Sequence, residues 1–306
     1  MRPRVIVVAK RSAYTHYVEE QRDRRVGELV QKQDPSVRRW RAAHQAHQKT
    51  VKAVEQELER LGAKALILRK SHAVFDASSV DLVVTVGGDG TLLAASHHVS
   101  RAPMLAVNSS PKDSVGFFCA VNRAGLREAL EKALEGKLPS VELARMEVEV
   151  NGSVRSRRVL NEALCCHTSP AHTSRYIVRY GRINEQHRSS GFWIGPPAGS
   201  TAALRSAGGR ILPLTSQQLQ FVVREPYVPA GEEYRLSRFL VESGRSVKVQ
   251  IKMHDAALYL DGPHLEYRLR LGDQVVFRLS KEPLTLLGLS ARRRAARAQQ
   301  RPTAVE

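Results

Sequence analysis

Asp81-Leu82-Val83-Val84-Thr85-Val86-Gly87-Gly88-Asp89-Gly90-Thr91 reads as a buried strand, a glycine turn and the start of a helix. The apolar run is too short for a helix and is bounded by turn formers, which is the pattern of a strand covered on both faces. Glycines at Gly87, Gly88 and Gly90 let backbone amides come close to a phosphate, and the helix that follows points its positive end at the same place. Asp89 is the exception in that cradle. A carboxylate beside a phosphate repels it, which makes sense if it accepts a proton from an attacking hydroxyl or helps hold Mg²⁺. The same residues also suit a tight turn with a helix-capping Asp.

Reading outward, Val5 to Ala9 is a short β-branched run. The segment from Ser36 to Leu61 carries apolar or half-polar residues at Trp40, Ala43, His47, Val51, Val54, Leu58 and Leu61, a helical spacing with Asp34-Pro35 as start signal and Gly62 as stop. Ala65 to Leu68, Asp81 to Val86 and Met104 to Val107 are strand-like runs alternating with helices, one from Thr91 to about Val99 and another capped by Asn122 and running to Gly136. That alternation predicts a parallel sheet. From Val141 the period becomes two, with Asn151-Gly152 marking a hairpin between Met146 to Val150 and Val159 to Leu164. Further runs follow at Tyr176 to Val178, Leu219 to Val223, Val247 to Ile251, Ala257 to Leu260, Gln274 to Leu279 and Leu284 to Leu287. The expected organisation is an α/β domain over 1–140, a β-rich domain over 141–290 and a basic, mobile tail over 291–306.

The 306 residues are 42% hydrophobic, enough for a real core, and no segment reaches the ~20 apolar residues of a membrane span. With no signal peptide at the N-terminus either, the expected location is the cytoplasm. The formal charge of +18 favours polyanions such as ATP, NAD or nucleic acid, but no nucleic-acid reading motif or aromatic platform accompanies it. The three cysteines, Cys119, Cys165 and Cys166, offer neither a disulfide framework nor a zinc motif. His44 and His47, and likewise His97 and His98, lack the third ligand that zinc needs. The one metal expected is Mg²⁺ arriving with nucleotide phosphates.

Gly-Gly-Asp-Gly-Thr resembles a motif shared by NAD kinases, diacylglycerol and sphingosine kinases and phosphofructokinases. Further segments choose the NAD kinases: Leu160-Asn161-Glu162, Gly199-Ser200-Thr201-Ala202 with Ser206-Ala207-Gly208-Gly209, and the pairs Asp261-Gly262 and Gly272-Asp273. Ala43-His44-Gln45-Ala46-His47, Val107-Asn108-Ser109-Ser110-Pro111 and Ser189-Ser190-Gly191 are similar to the mitochondrial type of animal NAD kinase and its relatives. The resemblance implies transfer of the γ-phosphate of ATP to the 2′-hydroxyl of the adenosine ribose of NAD, with Asp89 catalytic. It places Gly87, Gly88, Gly90, Thr91 and Asn108 at the ATP phosphates, and Asn161, Glu162, Ser190, Gly199, Ser200 and Thr201 at NAD. It also implies a homo-oligomer, a dimer or tetramer.

Two departures stand out. Most NAD kinases have Asp where this chain has Ser190, and their Thr-Pro-Thr-Gly-Ser-Thr-Ala-Tyr loop is Pro196-Pro197-Ala198-Gly199-Ser200-Thr201-Ala202-Ala203 here. The rival readings are a lipid kinase, which leaves Leu160-Asn161-Glu162 unexplained, and a non-catalytic NAD-binding sensor with an eroded loop.

Overall fold

The computed structural model describes residues 2–231 and 233–289. It separates into two compact units, one of residues 2–141 with 285–289, the other of residues 142–284. The basic segment 291–306, read above as a tail, lies outside the described residues.

The first unit runs β1 (Arg4–Ala9), α1 (Arg24–Gln31), α2 (Trp40–Arg60), β2 (Lys64–Leu68), β3 (Leu82–Gly87), α3 (Asp89–Ser96), β4 (Met104–Asn108), β5 (Val121–Asn122), α4 (Leu126–Leu134) and β6 (Ser140–Leu143). β1 pairs in parallel with β2 on one side and β3 on the other, and β3 pairs in parallel with β4. Every residue of β3 and β4 is buried, so the continuous apolar runs are strands covered on both faces. α2 lays Val51, Val54 and Leu58 against Val5, Val7 and Val84, and α4 adds Leu126 and Leu130 to the same core. The helix starts at Trp40 rather than Ser36. Asp34 explains the difference: its carboxylate accepts the Ser36 N–H and hydroxyl, and its carbonyl accepts the Val37 N–H, holding 34–37 as turns. α1 is an addition to the elements expected above: Val26, Leu29 and Val30 have helical spacing, and Asp23 caps it by accepting the Val26 N–H at 3.0 Å.

The second unit contains β7 (Met146–Val150), β8 (Ser153–Val159), β9 (Ala163–His167), β10 (Ser174–Tyr180), β11 (Ile183–Ser189), β12 (Phe192–Gly195), the four-residue α5 (Ala203–Ser206), β13 (Leu219–Val223), β14 (Arg238–Val241), β15 (Ser246–Ile251), β16 (Ala256–Leu260), β17 (Leu265–Leu269) and β18 (Gln274–Leu279). They form two sheets, in the orders β11-β10-β15-β18-β7-β8 and β14-β13-β12-β9-β16-β17. Inward residues of both sheets share one core, in which Phe192 stacks on Phe221 at 4.7 Å and meets Phe277 edge-on at 5.9 Å.

Two sequence expectations change here. The hairpin partner of β7 is the polar strand Ser153–Val159, not Val159 to Leu164. Asn151 and Gly152, both at positive φ (+49° and +80°), make a two-residue turn, and this loop length forces Ser153 opposite Val150. The run Leu284–Leu287, counted above with the β-rich half, is β19, which pairs in parallel with β4 through Leu286 and Met104. It sits between β4 and β6 in the first sheet, a place open to a strand that is apolar on both faces. Among the described residues no helix is long and apolar enough to cross a membrane.

Ending the chain after Pro283 removes β19 and uncovers Met104 and its neighbours. Losing the buried Leu286, Leu287 and Leu289 costs roughly 5 kcal/mol or more. A urea titration followed by far-UV circular dichroism should show the first unit unfolding early and separately. An unchanged midpoint would contradict β19's place in that sheet.

Candidate functional site

The chain runs from β1 away to β2 and returns to β3 on β1's other side, so the strand order reverses between β1 and β3. In open α/β sheets ligands collect outside the carboxyl ends of the strands at such a reversal. Gly87-Gly88-Asp89 emerges there. A Cβ on Gly87 would collide with the Thr91 side chain and one on Gly88 with the Ser114 hydroxyl, whereas Gly90 faces open space. Two of the three glycines are therefore required by close approach. Gly88 precedes α3, the buried Thr91 donates its N–H to the Gly88 carbonyl at 3.0 Å, and Asp89 is the first helical residue.

The Asp89 carboxylate accepts the Phe117 N–H on one oxygen and the Phe118 N–H on the other, each at 2.8 Å. The segment that carries these amides is built onto the turn at its other end as well. Ser109 donates its N–H to the Gly87 carbonyl at 3.0 Å. Asn108 accepts the Ser110 N–H at 3.1 Å and donates to the Ser114 carbonyl at 3.2 Å, so both ends of its amide brace the segment. Gly116 lies at φ +59°, and a Cβ there would strike the Asn108 amide.

Lys10 belongs to this place and the sequence reading passed over it. It follows β1 directly and donates its N–H to the Val86 carbonyl at 3.0 Å, one residue before the glycine turn. Half-burial pushes its ammonium pKa down, and the Asp113 carboxylate opposes that shift. His47 of α2 is pushed down to about 4, by burial first and then by Lys10, and is neutral at pH 7. The signal available in sequence was position: a lysine immediately after the first strand of a doubly wound sheet.

In the second unit Asn161 and Glu162 lie in a bend between β8 and β9 rather than within a strand. The cause is Asp261, whose carboxylate gathers three consecutive amides, Leu160 at 2.8 Å, Asn161 at 2.6 Å and Glu162 at 3.1 Å. Its own N–H returns to the Glu162 carbonyl at 2.9 Å. Backbone groups held this way cannot join a sheet ladder. Side-chain atoms Asn161 Oδ1 and Glu162 Oε2 are buried with no hydrogen-bond partner. Burial, with the Asp261 charge adding to it, pushes the Glu162 pKa up to about 8.

Gly199 packs on this bend, since a Cβ there would overlap the Asn161 carbonyl. The turn Pro197–Thr201 that contains it is a short 3₁₀ helix. Ser200 is fully buried, donating to the Pro197 carbonyl at 2.7 Å and accepting the Leu212 N–H at 3.0 Å, so its hydroxyl shapes the turn. Thr201 follows, partly exposed.

Ser190 stands apart from this group. It precedes β12 at one end while Gly195, which packs on Asn161 and Glu162, closes the other, roughly 16 Å away at ~3.3 Å per residue. Its hydroxyl donates to the Glu225 carboxylate, which brings an acidic group to this position.

The profile of the ATP-NAD kinase N-terminal domain matches residues 1–138. A probable NADH kinase of Oryza sativa subsp. japonica is 35% identical over 250 residues, covering 74% of this chain and 77% of its own. An NADH kinase of Arabidopsis thaliana is 30% identical over 232 residues, covering 67% of this chain and 71% of its own. The chain belongs to the NAD kinase family. Its fold is that of solved NAD kinases too. The NAD kinase of Archaeoglobus fulgidus in complex with ATP superimposes with a TM-score of 0.67 at 19% identity, over 96% of each chain. Yeast NADH kinase complexed with NADH gives 0.68 at 15% identity, over 100% of this chain and 89% of that one.

A carboxyl held protonated by the fold makes stability fall as pH rises. Between the ordinary value of 4.5 and about 8, the unfolded chain ionises Glu162 and the folded chain does not. At ~1.4 kcal/mol per pH unit this is on the order of 3 kcal/mol by pH 7. Glu162→Gln should therefore unfold at higher urea than the parent at pH 7 to 8, with the difference closing near pH 4.5. No gain at pH 8 would show that Glu162 carries no such penalty.

Proposed function

We propose that this chain transfers the γ-phosphoryl group of ATP to the 2′-hydroxyl of the adenosine ribose of NAD or NADH. The observation that carries this reading is the pair of unpartnered polar atoms on Asn161 and Glu162, held in place by Asp261 and packed against Gly199. Buried polar atoms without partners cost free energy and are kept where a polar ligand satisfies them. Ribose hydroxyls offer donors and acceptors of the matching kind. A lipid kinase would have no use for them.

Phosphoryl transfer asks the protein for position and charge rather than covalent chemistry. Amides of Gly88, Asp89 and Gly90, at the turn and the start of α3, receive phosphate oxygens, and the Lys10 ammonium offsets their charge. Asp89 orients the acceptor hydroxyl and takes its proton. Both carboxylate oxygens keep a second acceptor direction beyond the Phe117 and Phe118 amides, so the pinned group can do this without leaving its place. Among the described residues no three of His, Cys, Asp and Glu converge as a metal cage. Mg²⁺ would then be held chiefly by the ATP phosphates and water, with Asp89 as the carboxylate that would face it. When bound, Mg²⁺ supplies neutralisation of phosphate charge.

The deciding experiment incubates the purified chain with ATP, Mg²⁺ and either NAD or NADH, and reads the product with a dehydrogenase specific for the phosphorylated dinucleotide. Product from at least one acceptor is expected; no product from either would sink the proposal. In the same assay Lys10→Met should raise the KM for ATP at least ~10-fold, the scale of a lost charge-assisted hydrogen bond, and leave the KM for dinucleotide nearly unchanged. An equal change in both would assign Lys10 to folding instead.

A further inference from the structure

β2 ends the first sheet, and among the described residues no strand pairs with its outer edge. The register with β1 tells which backbone groups that edge presents. Lys64 donates its N–H to the Pro3 carbonyl at 2.7 Å and stands opposite Arg4, so its own N–H and C=O face β1. In a parallel ladder this direction alternates along the strand. Leu66 and Leu68 therefore face β1 as well, while Ala65 and Ile67 turn their N–H and C=O groups outward. Ala65 and Leu66 are both exposed, and Leu66, at 55%, is the most exposed large hydrophobic residue in any described strand.

Other terminal strands are guarded against pairing. The Arg188 carbonyl of β11 is taken by the Tyr227 N–H at 2.8 Å. β8 is irregular in register and carries Arg155, Arg157 and Arg158, and β17 carries Glu266 and Arg268. β2 has no such guard beyond Lys64 at its first position. The apolar run Ala65-Leu66-Ile67-Leu68 thus lines an open edge, the form in which one strand takes up another.

The strand is also matched to itself. Two copies turned antiparallel about a two-fold axis at Leu66 set Ala65 of each opposite Ile67 of the other, and every outward N–H meets an outward C=O. Leu66 falls opposite its own copy in a pair without hydrogen bonds, where side chains approach most closely. Lys64 falls opposite Leu68, so no like charges meet. We propose that the outer edge of β2 is an interface on which a second copy of this chain pairs antiparallel about Leu66, continuing the first sheet from one subunit into the other. Such a contact uses both open edges and closes on itself, so it does not grow into a filament. A five-residue strand is a small contact beside the ~800 Å² per partner of a standard interface, so association through it is concentration-dependent.

Cross-linking at chosen positions reads this geometry without relying on activity. Opposite Cα atoms in such a pair lie about 4.5 Å apart, within disulfide reach, so Leu66→Cys should give a covalent dimer under mild oxidation and wild type should not. Ala65→Cys should give none either, because its two copies lie ~7–8 Å apart on the diagonal. In sedimentation velocity over a concentration series, wild type should show an association step. Leu66→Lys sets two ammonium groups face to face and should lose that step while keeping its melting temperature. Ala65→Pro removes an outward donor without touching the ladder to β1 and should lose it too. Hydrogen exchange of the Ala65 and Ile67 amides in wild type should slow at least ~10-fold from dilute to concentrated solution. The proposal is overturned if Leu66→Cys does not cross-link, if Leu66→Lys and Ala65→Pro associate as wild type does, or if those two amides exchange equally at every concentration.

Discussion

The Asp89 carboxylate accepts two consecutive backbone amides, those of Phe117 and Phe118, from a segment 28 and 29 residues further along the chain. This double acceptance joins the glycine turn after β3 to the segment after β4. Those same residues fix why the turn has its sequence. Gly87 and Gly88 must lack a Cβ because Thr91 and Ser114 come so close, and Ser114 comes so close because the segment is drawn in. A carboxylate is the one side chain of that size that takes both N–H groups at once, one per oxygen. Asn would take one and present its own N–H₂ to the other. The group proposed to do the chemistry is therefore also the group that assembles the surface around it, and its orientation is set before any ligand arrives.

The second unit repeats the device with Asp261, which gathers the amides of Leu160, Asn161 and Glu162. Here the anchored backbone is used to hold two side chains in a costly state. Asn161 and Glu162 carry buried atoms without partners, and Glu162 is driven toward its neutral form by burial. Local destabilisation of this kind persists where the surroundings over-determine it, and it gathers at functional sites. Each unit thus carries the same arrangement, an aspartate that accepts successive amides and fixes the groups beside it.

The sequence made the first unit legible because hydrophobic period and glycine punctuation agree there. β3, the turn and α3 follow from Asp81 to Ser96 without help from distant residues. The limits of α2 were less legible, since Asp34 closes on Ser36 and Val37 by local hydrogen bonds that compete with a helix start. In the β-rich half pairing depends on what lies across the sheet. β8, with the sequence Ser153-Val154-Arg155-Ser156-Arg157-Arg158-Val159, gives no apolar signal although its pairing is fixed by the Asn151-Gly152 turn. β19 has an apolar signal in its three leucines, but nothing in its own residues says that it returns to β4. For the site, residue types were readable and geometry was not. Asp261 could be noticed as part of a motif, whereas its hold on residues 100 positions earlier appears in the fold alone. Lys10 was missed because a lysine after a strand is common, and only the strand order gives that place significance.

The central claim is that Asp89 acts in both capacities, and Asp89→Asn separates them. Turnover of ATP and dinucleotide should fall at least ~100-fold, the scale of a lost positioned proton acceptor. The urea midpoint should fall as well, by the equivalent of ~1–3 kcal/mol for a backbone amide left facing another donor, while the far-UV spectrum stays that of the parent. Turnover near the parental rate in this variant, whatever its stability, would reduce Asp89 to a pin for the segment after β4 and contradict the account.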